Sequence, residues 1–379
     1  MHVATAPTVW VRTADELDDL VDILSRCRAI GIDTEADSLH HYTEKVCLIQ
    51  VAAFQGASWL VDPLALGDVS PLGEIFADPS ILKVVHGGDN DVTSLRRDFG
   101  VSFRTMFDTA IAARLLGDAE LGLQALVRNE LGIELSKGSQ KDDWSKRPLT
   151  TKQETYALSD VAHLMDLATV FTRRLADAAR TEWAREEFAA LANLPPAVKR
   201  TGPDEFRRIK GSAKLSPRNQ AVLRELWLWR EARAAAADRP PFKIVGPEVL
   251  LALAETPPTS IDQVAKALSP YARQAGEVDV VFTAIERALS LPDGELPSRQ
   301  NGERTVTAAS VRARVTALRA WRDTQAAASK LDPSIVMPLR LIERIAGAAP
   351  TTLAELAAIE GVRRWRVSEW GRALLTACG

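Results

Sequence analysis

The most constraining feature of this sequence is an acidic triplet, Asp33-Thr34-Glu35, which directly follows the apolar run 29–32. A short apolar run predicts a buried β-strand, and alternate side chains on a strand share a face, so Asp33 and Glu35 point the same way. No lysine or arginine lies within four residues of Asp33. Two close carboxylates repel each other unless a cation lies between them, and hard divalent ions prefer oxygen ligands. The triplet therefore indicates half of a metal site for phosphoryl chemistry, with an acidic strand end in solvent as the alternative.

Length and composition predict an ordinary globular protein. The chain has 379 residues, 46% of them hydrophobic, which is enough for two or three domains with real cores. No run approaches the ~18 apolar residues of a membrane helix, and residues 1–4 do not begin a signal peptide. We therefore expect a cytoplasmic protein with no membrane association and no implied protein partner. Three scattered cysteines and five histidines argue against a disulfide framework or a zinc site.

Charge is distributed unevenly along the chain. Residues 1–200 hold 21 Lys and Arg against 30 Asp and Glu, a net charge of −9, whereas residues 201–379 hold 26 against 20, a net charge of +6. The acidic half suits a carboxylate metal site, and the basic half suits a polyanionic partner. The excess is mild, so the charge permits nucleic-acid binding without establishing it.

The first half of the chain alternates predicted strands with predicted helices. The first helix begins at a capping box formed by Thr13 and Glu16. A mixed sheet flanked by helices is the expected architecture. The predicted strands are 9–11, the strand that ends at Asp33, 46–54, 57–61, 81–85 and 103–107, and the later helices are 89–98, 108–116, 121–131 and one long helix over 151–174.

A second acidic point follows the predicted strand 81–85, where two glycines turn the chain into a helix. Asp89 or Asn90 is expected to cap that helix. Asp91 lies four residues before Leu95 and can face the sheet instead, where it would be a further candidate metal ligand. A simple helix-terminal aspartate is the alternative.

A third acidic point lies early in the predicted helix 151–174. Tyr156 and Asp160 are four residues apart and therefore lie on one helix face. By themselves they could form a hydrogen bond at the margin of the core. With two other acidic points in the same domain, a shared site becomes the better interpretation.

Beyond Leu194 the pattern is helical and contains a repeat. Ser216-Pro217 is typical of a helix start. Trp229-Arg230 recurs 92 residues later as Trp321-Arg322, and Ile244-Val245 recurs as Ile335-Val336 with a slip of one residue. Two copies of one helical module follow from this repeat.

These residues together resemble a known family. Asp33-x-Glu35, His86 with Asp91, and Tyr156-x-x-x-Asp160 are similar in order and context to the three exonuclease motifs of the DEDD superfamily. Four further stretches resemble bacterial ribonucleases D, and the helical modules resemble the helicase and ribonuclease D C-terminal (HRDC) domain. Tyr156, four residues before Asp160, places the resemblance in the tyrosine branch. The four stretches are 46–51, 61–64, 107–109 and 143–149.

The resemblance implies an α/β ribonuclease H-like exonuclease domain, followed by two all-α helical domains. It also implies two Mg²⁺ or Mn²⁺ ions as cofactors, with Asp33 contacting both, Glu35 and Asp160 holding the ion that activates water, and Asp91 serving the other. Tyr156 would orient the water, because a phenol of pKa near 10 is mostly protonated at neutral pH. The expected domains are 1–200, 210–292 and 308–379.

Other residues are candidates for supporting roles. Asp108 precedes a predicted helix, and we prefer a helix cap to a fifth ligand. Trp144 and Arg147, with nearby lysines that include Lys137, could contact RNA, or the indole could simply anchor a surface loop. Thr34 and His86 are further expected RNA contacts.

The predicted function is a metal-dependent 3′–5′ exoribonuclease that trims structured RNAs such as transfer RNA precursors and releases nucleoside 5′-monophosphates. A DNA-directed exonuclease of the same superfamily is one alternative. It is disfavoured because no polymerase segment follows the exonuclease motifs. A non-catalytic RNA-binding scaffold is the other, and it is disfavoured because every motif carboxylate is present.

Overall fold

The computed structural model describes residues 9–53, 56–135, 138–198, 202–273, 276–297 and 309–379. With those gaps, residues 9–36, 46–197 and 309–379 form one compact unit, and residues 37–45 and 198–297 form a second. No helix in the described ranges has both the length and the apolar character needed to cross a membrane. Phe54 and Lys137, which entered the sequence predictions, lie outside the described residues.

The first unit contains a six-stranded mixed sheet, as predicted. Its spatial order is β1-β4-β3-β2-β5-β6, in which β2 is antiparallel to β3 and parallel to β5. The strand that ends in the acidic triplet is therefore central, with partners on both sides. The strands are β1 Val9–Val11, β2 Ala29–Ala36, β3 Val46–Ala53, β4 Ser58–Val61, β5 Leu82–Val85 and β6 Met106–Asp108.

Helices α1 to α9 and α15 to α19 belong to the first unit, and α10 to α14 belong to the second. The helices are α1 Ala14–Leu24, α2 Pro63–Leu66, α3 Leu72–Ala77, α4 Asp89–Phe99, α5 Thr109–Leu116, α6 Leu123–Leu131, α7 Thr151–Ala162, α8 Leu164–Asp177, α9 Thr181–Ala192, α10 Pro217–Ala236, α11 Pro241–Ile244, α12 Pro247–Glu255, α13 Ile261–Ala267, α14 Glu277–Ser290, α15 Ala309–Ser329, α16 Pro333–Val336, α17 Leu339–Ala348, α18 Leu353–Ala358 and α19 Arg364–Cys378.

The two faces of β2 are covered by different helices. Ile30 and Ile32 join a core that includes Val92 and Leu95 of α4. The opposite face meets the junction of α7 and α8, which approaches so closely that a Cβ on Gly31 would lie 3.2 Å from the carbonyl oxygen of Val161. The absence of a side chain on Gly31 therefore lets α7 lie directly over the end of β2.

Two sequence predictions about individual elements are wrong. The single helix over 151–174 is instead two helices, separated at His163, whose φ and ψ of −116° and 7° are not helical. The strand predicted over 103–107 is Met106–Asp108, because Thr105 has a φ of +50° and Phe103 stacks on Phe76 with ring centroids 5.1 Å apart. In both places tertiary packing overrides a local pattern. The capping box of Thr13 and Glu16 is confirmed.

The C-terminal helices α15 to α19 pack within the first unit. Trp365 stacks on Trp183 of α9 with centroids 4.3 Å apart, and Trp370 meets Trp183 edge-on at 5.5 Å. Beside them the buried guanidinium of Arg366 bonds the carboxylate of Glu187 at 3.1 Å. The C-terminal module and the sheet-bearing segment therefore share one core.

The second unit has a core formed largely by α10 to α14. Ser216 caps α10, and Pro217 is its first residue, as predicted. The short helix that starts at Pro241 recurs as the short helix that starts at Pro333. Each follows a helix of 20 or 21 residues, so the repeat read from the sequence corresponds to two copies of one helical pattern.

Candidate active site

The end of β2 brings three predicted ligands together. Asp33 and Glu35 point to the sheet face covered by α7, and the side chain of Asp160 extends from that helix toward the same face. One ligand oxygen from each of the three carboxylates lies within 4.8 Å of the others. A divalent ion with oxygen ligands fits a cluster of this composition and spacing.

Asp91 reaches the same strand end from the other face of the sheet. The side chain of Thr34 lies on the opposite face of β2 from those of Asp33 and Glu35 and so points toward α4. There its hydroxyl donates a hydrogen bond to the carboxylate of Asp91. Asp91 is buried, as expected for a side chain that faces the sheet. The four acidic side chains therefore approach the end of β2 from two sides.

Asp108 fixes the turn that precedes Asp91. Its carboxylate accepts hydrogen bonds from the backbone N–H groups of Gly87 at 3.1 Å and Gly88 at 2.8 Å, and from that of Ile111 at 2.9 Å. The last bond caps α5, so the predicted cap is confirmed. The expectation that Asp89 or Asn90 caps α4 is wrong. Gly88 occupies the N-cap position without a side-chain bond, and Asp108 holds the loop from β6 instead.

Tyr156 lies four residues before Asp160 on α7, and the interaction of its hydroxyl with that carboxylate opposes the effect of burial on the pKa of Asp160. Its ring packs toward Trp144, with centroids 6.2 Å apart. Burial, together with repulsion from Asp160 and Glu35, raises the pKa of the Tyr156 phenol well above its usual range. The phenol is therefore protonated at neutral pH and acts as a hydrogen-bond donor.

The pKa of each carboxylate of the cluster is raised when no cation is bound, and the rise is largest for Asp33 and Glu35. Burial is the main cause for each, and mutual repulsion adds to it for Asp33 and Glu35. The pKa of Asp33 lies well above its ordinary value, that of Glu35 rises to about 9, and those of Asp91 and Asp160 rise to about 6. A bound divalent cation would remove the repulsion and restore the charged forms.

The cluster lines a cleft of about 470 Å³, and the described residues that line it include no lysine or arginine. Sequence reasoning missed several of the lining residues, among them Gly122, Gln124 and Gln140, because they come from loops and a helix start that carry no recognisable pattern. His86 lies in the wall of the same cleft.

The His86 ring is held in one tautomer. The hydroxyl of Thr109 donates to the carbonyl oxygen of Val85 at 3.2 Å, so its oxygen accepts from His86 Nδ1, 2.9 Å away. Burial lowers the pKa of His86, which keeps the ring neutral. The hydrogen bonds therefore assign the proton to Nδ1 and leave Nε2 as an acceptor.

Trp144 and Arg147, which the sequence offered either as RNA contacts or as anchors of a surface loop, both pack against the sheet. Trp144 is 1% exposed, with its ring packed among Leu48, Leu60 and other apolar side chains, so neither ring face is open to a base. The Arg147 guanidinium pairs with Asp62 at 2.6 Å and 2.8 Å and also bonds backbone carbonyls. Both residues anchor the loop to the sheet.

Fold and site together define a 3′–5′ exonuclease of the DEDD superfamily with a tyrosine in the third motif. A family model described as 3′-5′ exonuclease matches residues 8–176, and the HRDC domain model matches residues 219–276 and 311–378.

Comparison with individual proteins identifies a family within this superfamily. The chain is 30% identical over 385 residues to a ribonuclease D of Pseudomonas paraeruginosa, covering 98% of both proteins. It is 32% identical over 294 residues to a ribonuclease D of Desulfotalea psychrophila, covering 76% of this chain and 78% of that one. Among solved structures it is similar to Escherichia coli RNase D, described as an exoribonuclease involved in structured RNA processing, with a TM-score of 0.74, 25% identity and 98% of both chains covered.

The chain belongs to the ribonuclease D family and is a 3′–5′ exoribonuclease that acts on RNA. Membership of this family implies the use of divalent metal.

Proposed function

We propose that this exoribonuclease trims the 3′ ends of structured RNAs such as transfer RNA precursors, in the cytoplasm, and releases nucleoside 5′-monophosphates by a two-metal mechanism. The observation that carries the proposal is the convergence of four carboxylates and one protonated tyrosine on the end of β2. The substrate class is supported by the similarity to an RNase D described as processing structured RNA.

The donor set fits Mg²⁺ or Mn²⁺. All four proposed ligands are carboxylates, and the raised pKa values of Asp33 and Glu35 support a bound cation beside them. We assign Asp33 to both ions, Glu35 and Asp160 to one, and Asp91 to the other. When bound, two such ions stabilise the attacking and leaving oxygens of an in-line displacement.

The remaining roles belong to the protein's own side chains. The Thr34 hydroxyl holds Asp91 in place, and Asp108 holds the loop that leads to it. Tyr156 orients the attacking water through its hydroxyl, which cannot act as a base because the phenol stays protonated. Preorganised groups of this kind lower the barrier because they need no rearrangement during the reaction.

His86 would contact the sugar of the RNA. Its Nδ1 is occupied by Thr109, and its Nε2 is the ring nitrogen left for a ligand in the cleft. An acceptor at that position suits a ribose hydroxyl, which can donate a hydrogen bond, whereas a phosphate oxygen cannot. Thr34 also lines the cleft, but its hydroxyl donates to Asp91, so that hydroxyl could only accept a hydrogen bond from RNA.

The proposal is tested by comparing hydrolysis of matched single-stranded RNA and DNA oligonucleotides, labelled at the 5′ end, with Mg²⁺ and with chelator. We expect stepwise shortening of the RNA from its 3′ end, nucleoside 5′-monophosphate as product, and no reaction in chelator. Equal turnover of the DNA would favour the DNA-directed alternative, and RNA binding without turnover would favour a scaffold.

The substrate is tested in cells. Sequencing of RNA 3′ ends with and without the protein should show extended transfer RNA precursors when the protein is absent. Unchanged transfer RNA ends, with extensions on other RNAs, would contradict the named substrate while leaving the chemistry intact.

A further inference from the structure

Gln50 is a polar side chain enclosed in the middle of an apolar strand. It is fully buried on β3, and neither its amide nitrogen nor its amide oxygen has a hydrogen-bond partner among the described residues. Buried amides in folded proteins nearly always have partners. An enclosed amide with both groups unpaired therefore calls for a functional explanation.

The register of the sheet places Gln50 next to the proposed metal site. Gln50 lies directly opposite Asp33 on β2 and opposite Leu60 on β4. Residues directly opposite each other on neighbouring strands share a face and have Cβ atoms roughly 5 Å apart. That face is the one covered by α7, because Leu60 packs there against Ala157. The amide therefore lies beside Asp33 and beneath the helix that carries Tyr156 and Asp160.

Packing alone does not account for this residue. Leu48 and Leu60, its neighbours on the same face, are apolar and fully buried. A methionine at position 50 would fill a similar volume without enclosing two polar atoms. Gln50 is also absent from the wall of the cleft, so direct contact with RNA does not explain it. The residue directly opposite it on β2 is Asp33, whose carboxylate can accept a hydrogen bond from an amide.

We propose that Gln50 is a positioning residue for Asp33: its amide N–H groups hold that carboxylate through one water in the orientation that binds metal. This inference rests on the proposed metal site. Groups that hydrogen-bond a metal ligand fix its orientation, and their loss typically reduces metal affinity or activity by 10- to 100-fold.

The test compares wild type, Gln50→Met and the control Leu60→Met, which changes packing on the same face without touching a polar group. Thermal unfolding is measured in chelator and across a Mn²⁺ titration, and kcat and KM are measured on a short RNA. For Gln50→Met we expect an unchanged or raised melting temperature in chelator, because methionine fills the site without enclosing two polar atoms that lack protein partners. We also expect a roughly tenfold or larger increase in the Mn²⁺ concentration needed for half-maximal stabilisation, a lower kcat and an unchanged KM. Leu60→Met should leave the metal midpoint unchanged.

Three results would overturn the inference. A lower melting temperature in chelator with an unchanged metal midpoint would make Gln50 a core residue only. An unchanged melting temperature and midpoint would leave it no role toward the metal. If Gln50→Met still shifts the midpoint when Asp33→Asn is also present, the amide acts on another ligand. By contrast, a wild type that Mn²⁺ neither stabilises nor activates would refute the proposed metal site itself.

Discussion

The hydroxyl of Thr34 donates a hydrogen bond to the carboxylate of Asp91, and this bond joins the central strand to the helix that carries the fourth acidic side chain. Thr34 can make this bond because it points to the opposite face of the sheet from Asp33 and Glu35. The alternation of a single strand thus supplies two metal ligands on one face and the support for a ligand on the other.

Replacing Thr34 by valine tests this support. Thr34→Val keeps the side-chain shape and removes the hydroxyl, so we expect an approximately 10- to 100-fold rise in the Mg²⁺ concentration needed for half-maximal activity. Thr34→Ser retains the hydroxyl and should stay close to wild type. If both variants need the same Mg²⁺ concentration as wild type, the bond does not position Asp91.

The pH dependence of stability should differ between the metal-bound protein and the protein in chelator. In chelator the pKa of Glu35 is raised to about 9 and those of Asp91 and Asp160 to about 6, against ordinary values near 4. Between the unfolded and folded pKa values the native state binds more protons than the unfolded state, so these groups reduce stability as pH rises.

We therefore expect the stabilisation by Mg²⁺, measured as the difference in melting temperature between metal and chelator, to grow between pH 5 and pH 8. Glu35→Gln, which removes the most perturbed of these three groups, should reduce that growth. A difference that does not change with pH would contradict the electrostatic description of the site.

Tyr156→Phe separates water positioning from substrate binding. The ring still packs near Trp144, but the hydroxyl is lost, so turnover should fall by roughly a hundredfold while RNA affinity, measured in Ca²⁺, stays unchanged. Tyr271→Phe in the second unit is the matched control. Unchanged turnover in Tyr156→Phe would make this tyrosine purely structural.

The ion pair between Glu187 and Arg366 should hold the C-terminal module in the first unit. Arg366 is buried, so Glu187→Gln leaves a buried guanidinium without its anion and should destabilise the protein by roughly 3 kcal/mol. Glu182→Gln, which breaks the exposed pair with Arg185, should cost less than about 1 kcal/mol. Equal effects in denaturant unfolding would show that the contact does not stabilise the module.

The sequence predicted the parts of this molecule that depend on local pattern. Alternation along β2 and the i, i+4 spacing on α7 were enough to orient Asp33, Glu35, Tyr156 and Asp160 toward a common site. The cap formed by Asp108 was also predictable, because a carboxylate before a helix has a specific local role.

The parts that were missed depend on contacts between distant segments. The break at His163 accompanies the close approach of the α7–α8 junction to Gly31, and no residue near His163 signals it. The burial of Trp144 depends on strands more than 80 residues earlier in the chain. Gln50 was noticeable in the sequence, because a polar residue in the apolar stretch 46–53 is unusual. Only the strand register, which pairs Gln50 with Asp33, relates it to the proposed metal site.

The most direct test of the account is the rate of RNA hydrolysis by Asp33→Asn. This variant keeps the side-chain volume and removes the charge of the proposed shared ligand, and Asp15→Asn, at an exposed position of α1, is the matched control. Single-turnover cleavage of a 5′-labelled RNA should fall by roughly a hundredfold or more in Asp33→Asn, with an unchanged circular dichroism spectrum and full activity in Asp15→Asn. Retention of more than about a tenth of wild-type activity by folded Asp33→Asn would contradict the assignment of this cluster as the catalytic metal site.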